Sequence, residues 1–123
     1  MEDADYAIVV AGTASEIAKS AVSELRSQGE KVGLLRPRVI RPWPKNDIRE
    51  SLKDVKRIAV VDQDFMPGSG GVLYQEVRAS LPANIFCTNF IAGLGGQRIS
   101  KKDFLDIYKR LKESEKEEEV WLL

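Results

Sequence analysis

The feature that most constrains this chain is a regular alternation between short apolar runs and stretches in which apolar residues recur at helical spacing. Four apolar runs have the β-branched character of strands that are buried on both faces. These runs span residues 6–12, 31–35, 57–62 and 84–90. The alternation predicts a three-layer α/β sandwich with a mostly parallel sheet of four or five strands. The strand residues expected to be buried are Ile8, Val9, Val10, Val32, Leu34, Ile58, Val60, Val61, Ile85 and Phe86.

Local signals predict where the helices begin and end. Gly29 is placed to end the first helix, and Asn46 or Asp47 can cap a short second helix. Ser100 with Asp103 resembles the capping pair that opens a last helix. Helical spacing then predicts the residues that face the core: Ile17, Ala18, Ala21, Val22, Leu25, Ile48, Leu52, Val55, Leu73, Val77, Leu81, Phe104, Ile107, Tyr108 and Leu111.

Composition limits the classes of function that fit the chain. Its 123 residues are predicted to form one domain, with a core over about 5–111 and a charged tail over 112–123. The 19 Lys and Arg residues balance the 19 Asp and Glu residues, so no overall positive field favours nucleic acid or anionic lipid. No stretch approaches the ~20 apolar residues of a membrane span. The single cysteine, Cys87, allows no internal disulfide, which fits a reducing cytoplasm. We therefore expect a cytoplasmic domain with neither a nucleic-acid nor a membrane partner.

The segments that follow the strands are unusual in composition. In a parallel sheet they all emerge at the carboxyl edge, where open α/β domains place their binding surface. The segment LRPRVIRPWP at 35–44 is stiffened by its prolines, and its arginines and tryptophan suit a protein interface. The alternative is that it covers the end of the domain's own core. The candidate interface residues in this segment are Arg36, Arg38, Arg41, Pro42 and Trp43.

Two glycine-rich turns follow the third and fourth predicted strands. Glycines that open a helix can present backbone N–H groups to an anion, but neither turn has the P-loop or GxGxxG pattern. The simpler interpretation is a tight turn that lets strand and helix pack closely. The residues of these turns that we include in the candidate interface are Gly68, Ser69, Gly70, Gly71, Gly93, Gly95 and Gly96.

Candidate catalytic residues are sparse. Asp62 ends a strand at the predicted carboxyl edge, which makes it the best single acid and a member of the candidate interface. An aspartate in that position also commonly accepts backbone N–H bonds and shapes the next turn. No second placed carboxylate, histidine or cysteine lies nearby in sequence, and Cys87 sits in an apolar strand. The sequence therefore predicts no catalytic, cofactor-binding or metal-binding residues.

Three segments carry a resemblance to a known family: EKVGLLRPRVIRPWP, VKRIAVVDQDFMPGSGGVLYQEVRASL and NFIAGLGGQRIS. They resemble the second domain of pyruvate:ferredoxin oxidoreductases and related 2-oxoacid:ferredoxin oxidoreductases, which lies in the alpha subunit of multi-subunit forms. The resemblance runs from about Asp5 to Leu111. It implies a fold like the C-terminal domain of transketolases.

The resemblance implies chemistry for a parent enzyme rather than for this domain. The parent would oxidatively decarboxylate a 2-oxoacid to an acyl-CoA and reduce ferredoxin, with thiamine diphosphate, Mg²⁺ and iron–sulfur clusters held elsewhere. One cysteine agrees with this, because a cluster takes about four thiolates. We therefore expect a structural or assembly domain, inactive alone and part of a longer chain. Its partners would be other domains or subunits, with ferredoxin contacted only indirectly.

Two other classes of function remain open at this point. One is a free-standing module that binds a small molecule or an anion at the glycine turns, and the other is a small α/β enzyme. The chain also departs from the family pattern, with Gln97 and Arg98 after the GLGG turn and Trp43 at a position where phenylalanine is common. These departures leave the fold prediction intact but assign no particular 2-oxoacid.

Overall fold

Strands and helices alternate along the chain in the computed structural model, which describes residues 4–12, 14–37, 45–62, 72–82, 84–92, 99–114 and 119–122. The strands are β1 (Tyr6–Val9), β2 (Val32–Leu35), β3 (Arg57–Asp62), β4 (Phe86–Ala92) and β5 (Glu119–Leu122). The helices are α1 (Ala14–Ser27), α2 (Lys45–Leu52), α3 (Val72–Ala79) and α4 (Lys101–Glu113). The predicted alternation is confirmed.

The strands form one parallel sheet with the order β2-β1-β3-β4-β5. Each neighbouring pair is parallel, and the register places Tyr6 of β1 beside Val32 of β2 and Arg57 of β3. Arg57 in turn lies beside Phe86 at the start of β4. Because all five strands run the same way, the segments after them leave from a single carboxyl edge, as the sequence predicts.

Two apolar cores cover the two faces of the sheet. One core joins the sheet to α1 and α4, and the other joins it to α2 and α3. Neighbouring residues of β1 enter different cores, since Ile8 belongs to the first and Ala7 and Val9 to the second. This arrangement explains the runs of consecutive apolar residues, because every side chain of a central strand meets a covered face.

Most of the predicted strand burial is confirmed. The buried residues are Ile8, Val9, Val10, Val32, Ile58, Val60 and Val61. Three others, Leu34, Ile85 and Phe86, are only partly buried. Leu34 lies on the edge strand β2, Phe86 is the first residue of β4, and Ile85 immediately precedes that strand.

Helix boundaries agree with the predicted signals at two of three places. Gly29, just beyond α1, adopts a left-handed φ of 88°. Ser100 and Asp103 form a capping box, in which the Ser100 hydroxyl accepts the Asp103 N–H at 3.2 Å. The prediction for α2 is wrong, because Asn46 and Asp47 lie inside its first turn and do not precede it. A carboxylate in a first turn still favours the helix through its dipole.

The sequence predicts a charged tail over 112–123, but the structure has regular secondary structure at the start and near the end of this segment. α4 continues to Glu113, and β5 adds a fifth strand beside β4, with Val120 opposite Phe90. The charged residues 115–118 lie outside the described part of the chain. The apolar stretch that follows them has the strand character expected for pairing with β4.

A polar cluster at the amino edge of the sheet ties α4 to the connection between α1 and β2. Glu30 accepts hydrogen bonds from the Tyr108 hydroxyl at 2.5 Å and from the Lys112 ammonium at 2.7 Å. The rings of Tyr6 and Tyr108 meet edge to face, 5.5 Å apart. The hydrogen bonds from Lys112 and Tyr108 lower the pKa of Glu30. Burial, with the bond to Glu30, raises the pKa of Tyr108.

This cluster predicts an acid-dependent loss of stability. A carboxyl group whose pKa is lower in the folded chain than its ordinary value of 4.5 stabilises the fold above that value. The stabilisation is lost as pH falls through the lowered pKa. We expect Glu30→Gln to lower the free energy of unfolding at neutral pH and the difference from the wild type to close in acid. Urea unfolding of both proteins across a pH series measures this difference in the free energy of unfolding.

The matched control for this prediction is Glu113→Gln. Glu113 is an exposed carboxylate at the same end of α4, so its replacement removes a charge while leaving the Glu30 contacts in place. We expect that variant to follow the wild type at every pH. A Glu30→Gln effect that stays constant from neutral pH into acid would show that the charge of Glu30 does not stabilise the fold.

Candidate functional site at the carboxyl edge

Asp62, at the carboxyl end of β3, is bonded to the start of α3. The residue is 3% exposed. Its Oδ1 accepts the backbone N–H of Leu73 at 2.8 Å, and its Oδ2 accepts that of Tyr74 at 3.0 Å. Both amides belong to the first turn of α3, whose N–H groups have no acceptor within the helix. Asp62 therefore caps α3 from the preceding strand, and its charge matches the positive end of the helix dipole.

Asn89 of β4 completes this buried group. Its Nδ2 donates to Oδ2 of Asp62 at 3.0 Å and to the carbonyl oxygen of Val60 at 3.2 Å. Asn89 is 2% exposed, and it lies opposite Val60 in the parallel register. The Asp62 carboxylate thus accepts at least three N–H groups, from β4 and from α3. The interpretation of Asp62 as an acceptor of backbone N–H bonds is confirmed.

Arg36, which follows β2, makes a second connection at the same edge. Its Nη2 lies 2.6 Å from Oε1 of Glu16, and its Nε donates to the Ser15 hydroxyl oxygen at 3.1 Å. The Ser15 hydroxyl donates in turn to the carbonyl oxygen of Gly12 at 2.7 Å. Gly12 has a left-handed φ of 76°, which glycine adopts at little cost. Arg36 therefore fastens the end of β2 to the first turn of α1.

The structure places the two described candidate residues at one edge but does not bring them into one site. Arg36 bonds to α1 on one face of the sheet, and Asp62 bonds to α3 on the other. The interface roles of both remain predictions. The other candidate residues lie outside the described part of the chain: Arg38, Arg41, Pro42, Trp43, Gly68, Ser69, Gly70, Gly71, Gly93, Gly95 and Gly96.

Sequence reasoning missed the partners of both candidates. Asn89 lies in a run otherwise dominated by apolar residues, and a buried amide in a central strand needs hydrogen-bond partners. That signal could have marked Asn89 as a polar contact of a neighbouring strand. Nothing in the local sequence distinguishes Ser15 from the other residues at the start of α1. Its role depends on the parallel pairing of β1 with β2.

The described residues do not fit the metal ion or clusters that the family resemblance implies. Their His, Cys, Asp and Glu side chains form no group of three able to hold a metal ion. The N–H donors around Asp62 direct their hydrogens at the carboxylate, where Mg²⁺ would have to bind. Cys87, the one cysteine of the sequence, is completely buried in β4. The described residues therefore offer no ligand set for a metal ion or a cluster.

A search for membrane-spanning helices within the described ranges gives none of sufficient length and apolarity.

Comparison with known families gives a match over most of the chain. The model of the pyruvate:ferredoxin oxidoreductase core domain II matches residues 4–104. Pyruvate synthase subunit PorA of Methanocaldococcus jannaschii is 36% identical over 123 residues, covering 99% of this chain and 31% of that protein. Ketoisovalerate oxidoreductase subunit VorA of Pyrococcus furiosus is 37% identical over 129 residues, covering 98% of this chain and 33% of that protein. The chain spans about a third of the length of these relatives.

Two solved structures share the fold. A 2-oxoglutarate:ferredoxin oxidoreductase of Magnetococcus marinus superposes with a TM-score of 0.73 at 22% identity, over 88% of this chain and 18% of that chain. A split-gene transketolase, described as an inactive β4 tetramer, superposes with a TM-score of 0.67 at 15% identity, over 87% of this chain and 39% of that chain. These structures confirm the predicted transketolase-like α/β fold. By its match over residues 4–104, the chain belongs to the family of the pyruvate:ferredoxin oxidoreductase core domain II.

Proposed function

We propose that this chain is an assembly domain in the alpha subunit of a 2-oxoacid:ferredoxin oxidoreductase. The parent enzyme would oxidatively decarboxylate a 2-oxoacid to an acyl-CoA and pass the electrons to ferredoxin. Family membership supports this proposal, as do the names of the two relatives, a pyruvate synthase subunit and a ketoisovalerate oxidoreductase subunit. The chain spans only about a third of each relative, so other parts of the parent enzyme would complete it.

The bonding of Asp62 is the observation that carries the assembly role. Asp62 is the best single acid in the sequence, and its carboxylate is buried and accepts N–H groups from β4 and α3. A carboxylate held in this way joins β3 to β4 and α3, and its burial makes it poorly suited to acid–base work. We place thiamine diphosphate, Mg²⁺, the clusters and CoA in other domains or subunits of a cytoplasmic enzyme.

The class of substrate is proposed only as 2-oxoacids. The relative named a pyruvate synthase subunit is 36% identical to this chain, and the one named a ketoisovalerate oxidoreductase subunit is 37% identical. Nearly equal identities to enzymes of different names do not separate the two substrates. A domain that only assembles the enzyme would not need to contact the group that differs between 2-oxoacids.

The first test exchanges domains between relatives. The matching third of the Methanocaldococcus jannaschii subunit is replaced by this chain, and the chimera is co-expressed with the other subunits of that enzyme. We expect the complex to assemble and to reduce ferredoxin with pyruvate and CoA, whereas a subunit from which the segment is deleted does neither. A chimera that assembles no better than the deletion would contradict the proposal.

The second test uses the chain alone. We expect calorimetry with thiamine diphosphate and Mg²⁺ to show no binding, and a decarboxylation assay with pyruvate to show no turnover. The cofactor needs a metal held by placed oxygens and an apolar cleft, which are usually built where two domains meet. Micromolar binding or measurable turnover would favour a small enzyme instead.

A further inference from the structure

We propose that Arg26 closes the β2 edge of the sheet, so that a second copy of this chain cannot extend the sheet by pairing with β2. This inference does not rest on the proposed function, because it concerns only β2 and the helix that precedes it. The sheet order places β2 outside β1, at an edge. The outer side of an edge strand is a ready template for pairing with another chain.

The bonding of β2 to β1 shows which backbone groups of β2 point outward. The carbonyl oxygens of Lys31 and Leu35 accept N–H groups from β1 and from the residue that follows it. In a parallel pair, alternate residues of one strand bond to the same neighbour. Gly33 therefore also bonds to β1, and the N–H and C=O groups of Val32 and Leu34 point to the outer side.

Arg26, in the last turn of α1, occupies one of these outward groups. Its Nη1 donates to the carbonyl oxygen of Val32 at 2.9 Å. The turn between α1 and β2 fixes where the arginine starts, because the Gly29 N–H donates to the carbonyl oxygen of Arg26 at 3.0 Å and the Glu30 N–H to that of Leu25 at 3.1 Å. These are the two bonds of a Schellman motif, with Gly29 at its left-handed position. Arg26 is thus held beside the start of the edge strand.

The strand itself carries none of the usual protection of a sheet edge. Its sequence, VGLL, contains no charged residue and no proline. Natural edge strands are commonly protected by charged side chains, prolines or bulges. Gly33 also leaves the register of a pairing strand weakly specified. The protection that the structure shows comes from α1, through the contact of Arg26 with Val32.

The excluded arrangement is an antiparallel pair of two β2 strands related by a twofold axis at Gly33. Val32 of each copy would lie opposite Leu34 of the other, and each such pair would exchange two backbone hydrogen bonds. The Leu34 N–H would need the carbonyl oxygen that Arg26 already occupies. Arg26 thus blocks half of the backbone bonds of this pair. It also brings two guanidinium charges to one interface, where like charges repel.

A purely structural link between α1 and β2 makes a different prediction from a closed edge. Loss of a structural link lowers stability and leaves association unchanged. Loss of the residue that closes the edge strengthens association through the outward groups of β2. The two roles are therefore separated by measuring how the chain associates with itself.

The test compares Arg26→Ala with Lys19→Ala by sedimentation equilibrium. Lys19 is an exposed lysine of the same helix, so its replacement removes the same charge but leaves the Arg26 contact in place. We expect Arg26→Ala to lower the dissociation constant of the dimer by about tenfold or more, because it frees a backbone acceptor in each copy and removes the repulsion. Lys19→Ala should change this constant less than about twofold.

Adding Leu34→Pro to Arg26→Ala tests where the copies meet. Proline has no N–H, and the Leu34 N–H points away from β1, so pairing across the edge loses a donor while the bonds between β1 and β2 remain. We expect the double variant to associate no more strongly than the wild type. Circular dichroism checks that each variant is folded. Arg26→Met, which keeps the apolar stem without a donor, serves if Arg26→Ala does not fold.

Hydrogen exchange at the Leu34 amide is the second measurement, and it serves if the proline variant does not fold. This exchange should slow as the concentration of Arg26→Ala rises and stay constant in the wild type. Association of Arg26→Ala that equals that of the wild type would overturn the proposal. So would stronger association that neither Leu34→Pro nor the Leu34 amide detects, since the copies would then meet at another surface. Protection of the Leu34 amide in the wild type at high concentration would mean that the edge is open despite Arg26.

Discussion

Replacement of Phe104 by alanine is expected to lower the free energy of unfolding by about 3–5 kcal/mol, the usual cost of removing a buried aromatic side chain. Phe104 lies in α4, is completely buried, and belongs to the core that joins α1 and α4 to the sheet. A loss of this size is a large part of the stability of a domain of this length. Urea unfolding followed by circular dichroism measures it.

The control for this prediction is Lys109→Ala on the exposed side of the same helix, which should change stability by less than about 0.5 kcal/mol. Phe104 is also the last residue of the family match, so the experiment asks whether the final helix shares the core of the family fold. A loss below about 1.5 kcal/mol for Phe104→Ala would mean that α4 is not docked as the structure shows.

Much of the fold could be predicted because its strongest signals are local. The helical spacing of Phe104, Ile107, Tyr108 and Leu111 marks the face of α4 that the structure buries. The run at Arg57–Asp62 coincides with β3, since a strand covered on both faces leaves an uninterrupted apolar pattern. Such patterns require no knowledge of which segments meet in space.

β5 shows where a local pattern misleads. The strand begins at the last residue of the run KESEKEEE, whose density of charge is typical of a solvated helix face or a frayed end. Whether the end of such a run and the residues after it form a strand depends on the presence of an unpaired neighbouring strand. Asn89 and Phe90 of β4 supply that neighbour, opposite Glu119 and Val120. The pairing partner, and not the sequence of the segment, decides this element.

The candidate site likewise combines features that are visible in the sequence with contacts that depend on how distant segments pair. The position of Asp62 at a strand end was visible in the sequence, as was its tendency to accept backbone N–H groups. The approach of Asn89 was not, because residues 27 positions apart meet only through the register of β3 with β4. Register cannot be derived from periodicity alone when both strands are buried on both faces.

The contacts of Arg57 depend on still more distant parts of the chain. Its Nη1 donates to the carbonyl oxygen of Leu111 at 2.9 Å and also to that of Ser114, at the end of α4. Its guanidinium lies 4.5 Å from the centre of the Phe86 ring. The last carbonyl groups of a helix have no donors within the helix, and a cation there also matches the negative end of the dipole. Arg57 thus binds α4 to the starts of β3 and β4.

We expect Arg57→Ala to lower the free energy of unfolding by about 2–3 kcal/mol, because it removes charge-assisted hydrogen bonds and a cation–π contact at a partly exposed site. Arg57→Lys keeps the charge and can still donate hydrogen bonds, but it lacks the planar guanidinium that lies over the Phe86 ring, so it should recover only part of the loss. Arg110→Ala is the matched control. Arg110 is an exposed arginine in the last turn of α4, the helix that Arg57 contacts, and it forms a surface ion pair with Asp106. That variant should cost less than about 1 kcal/mol in the same urea titration. If the lysine variant is as stable as the wild type, the positive charge near the end of α4 is what matters, and the planar shape of the guanidinium adds nothing to stability.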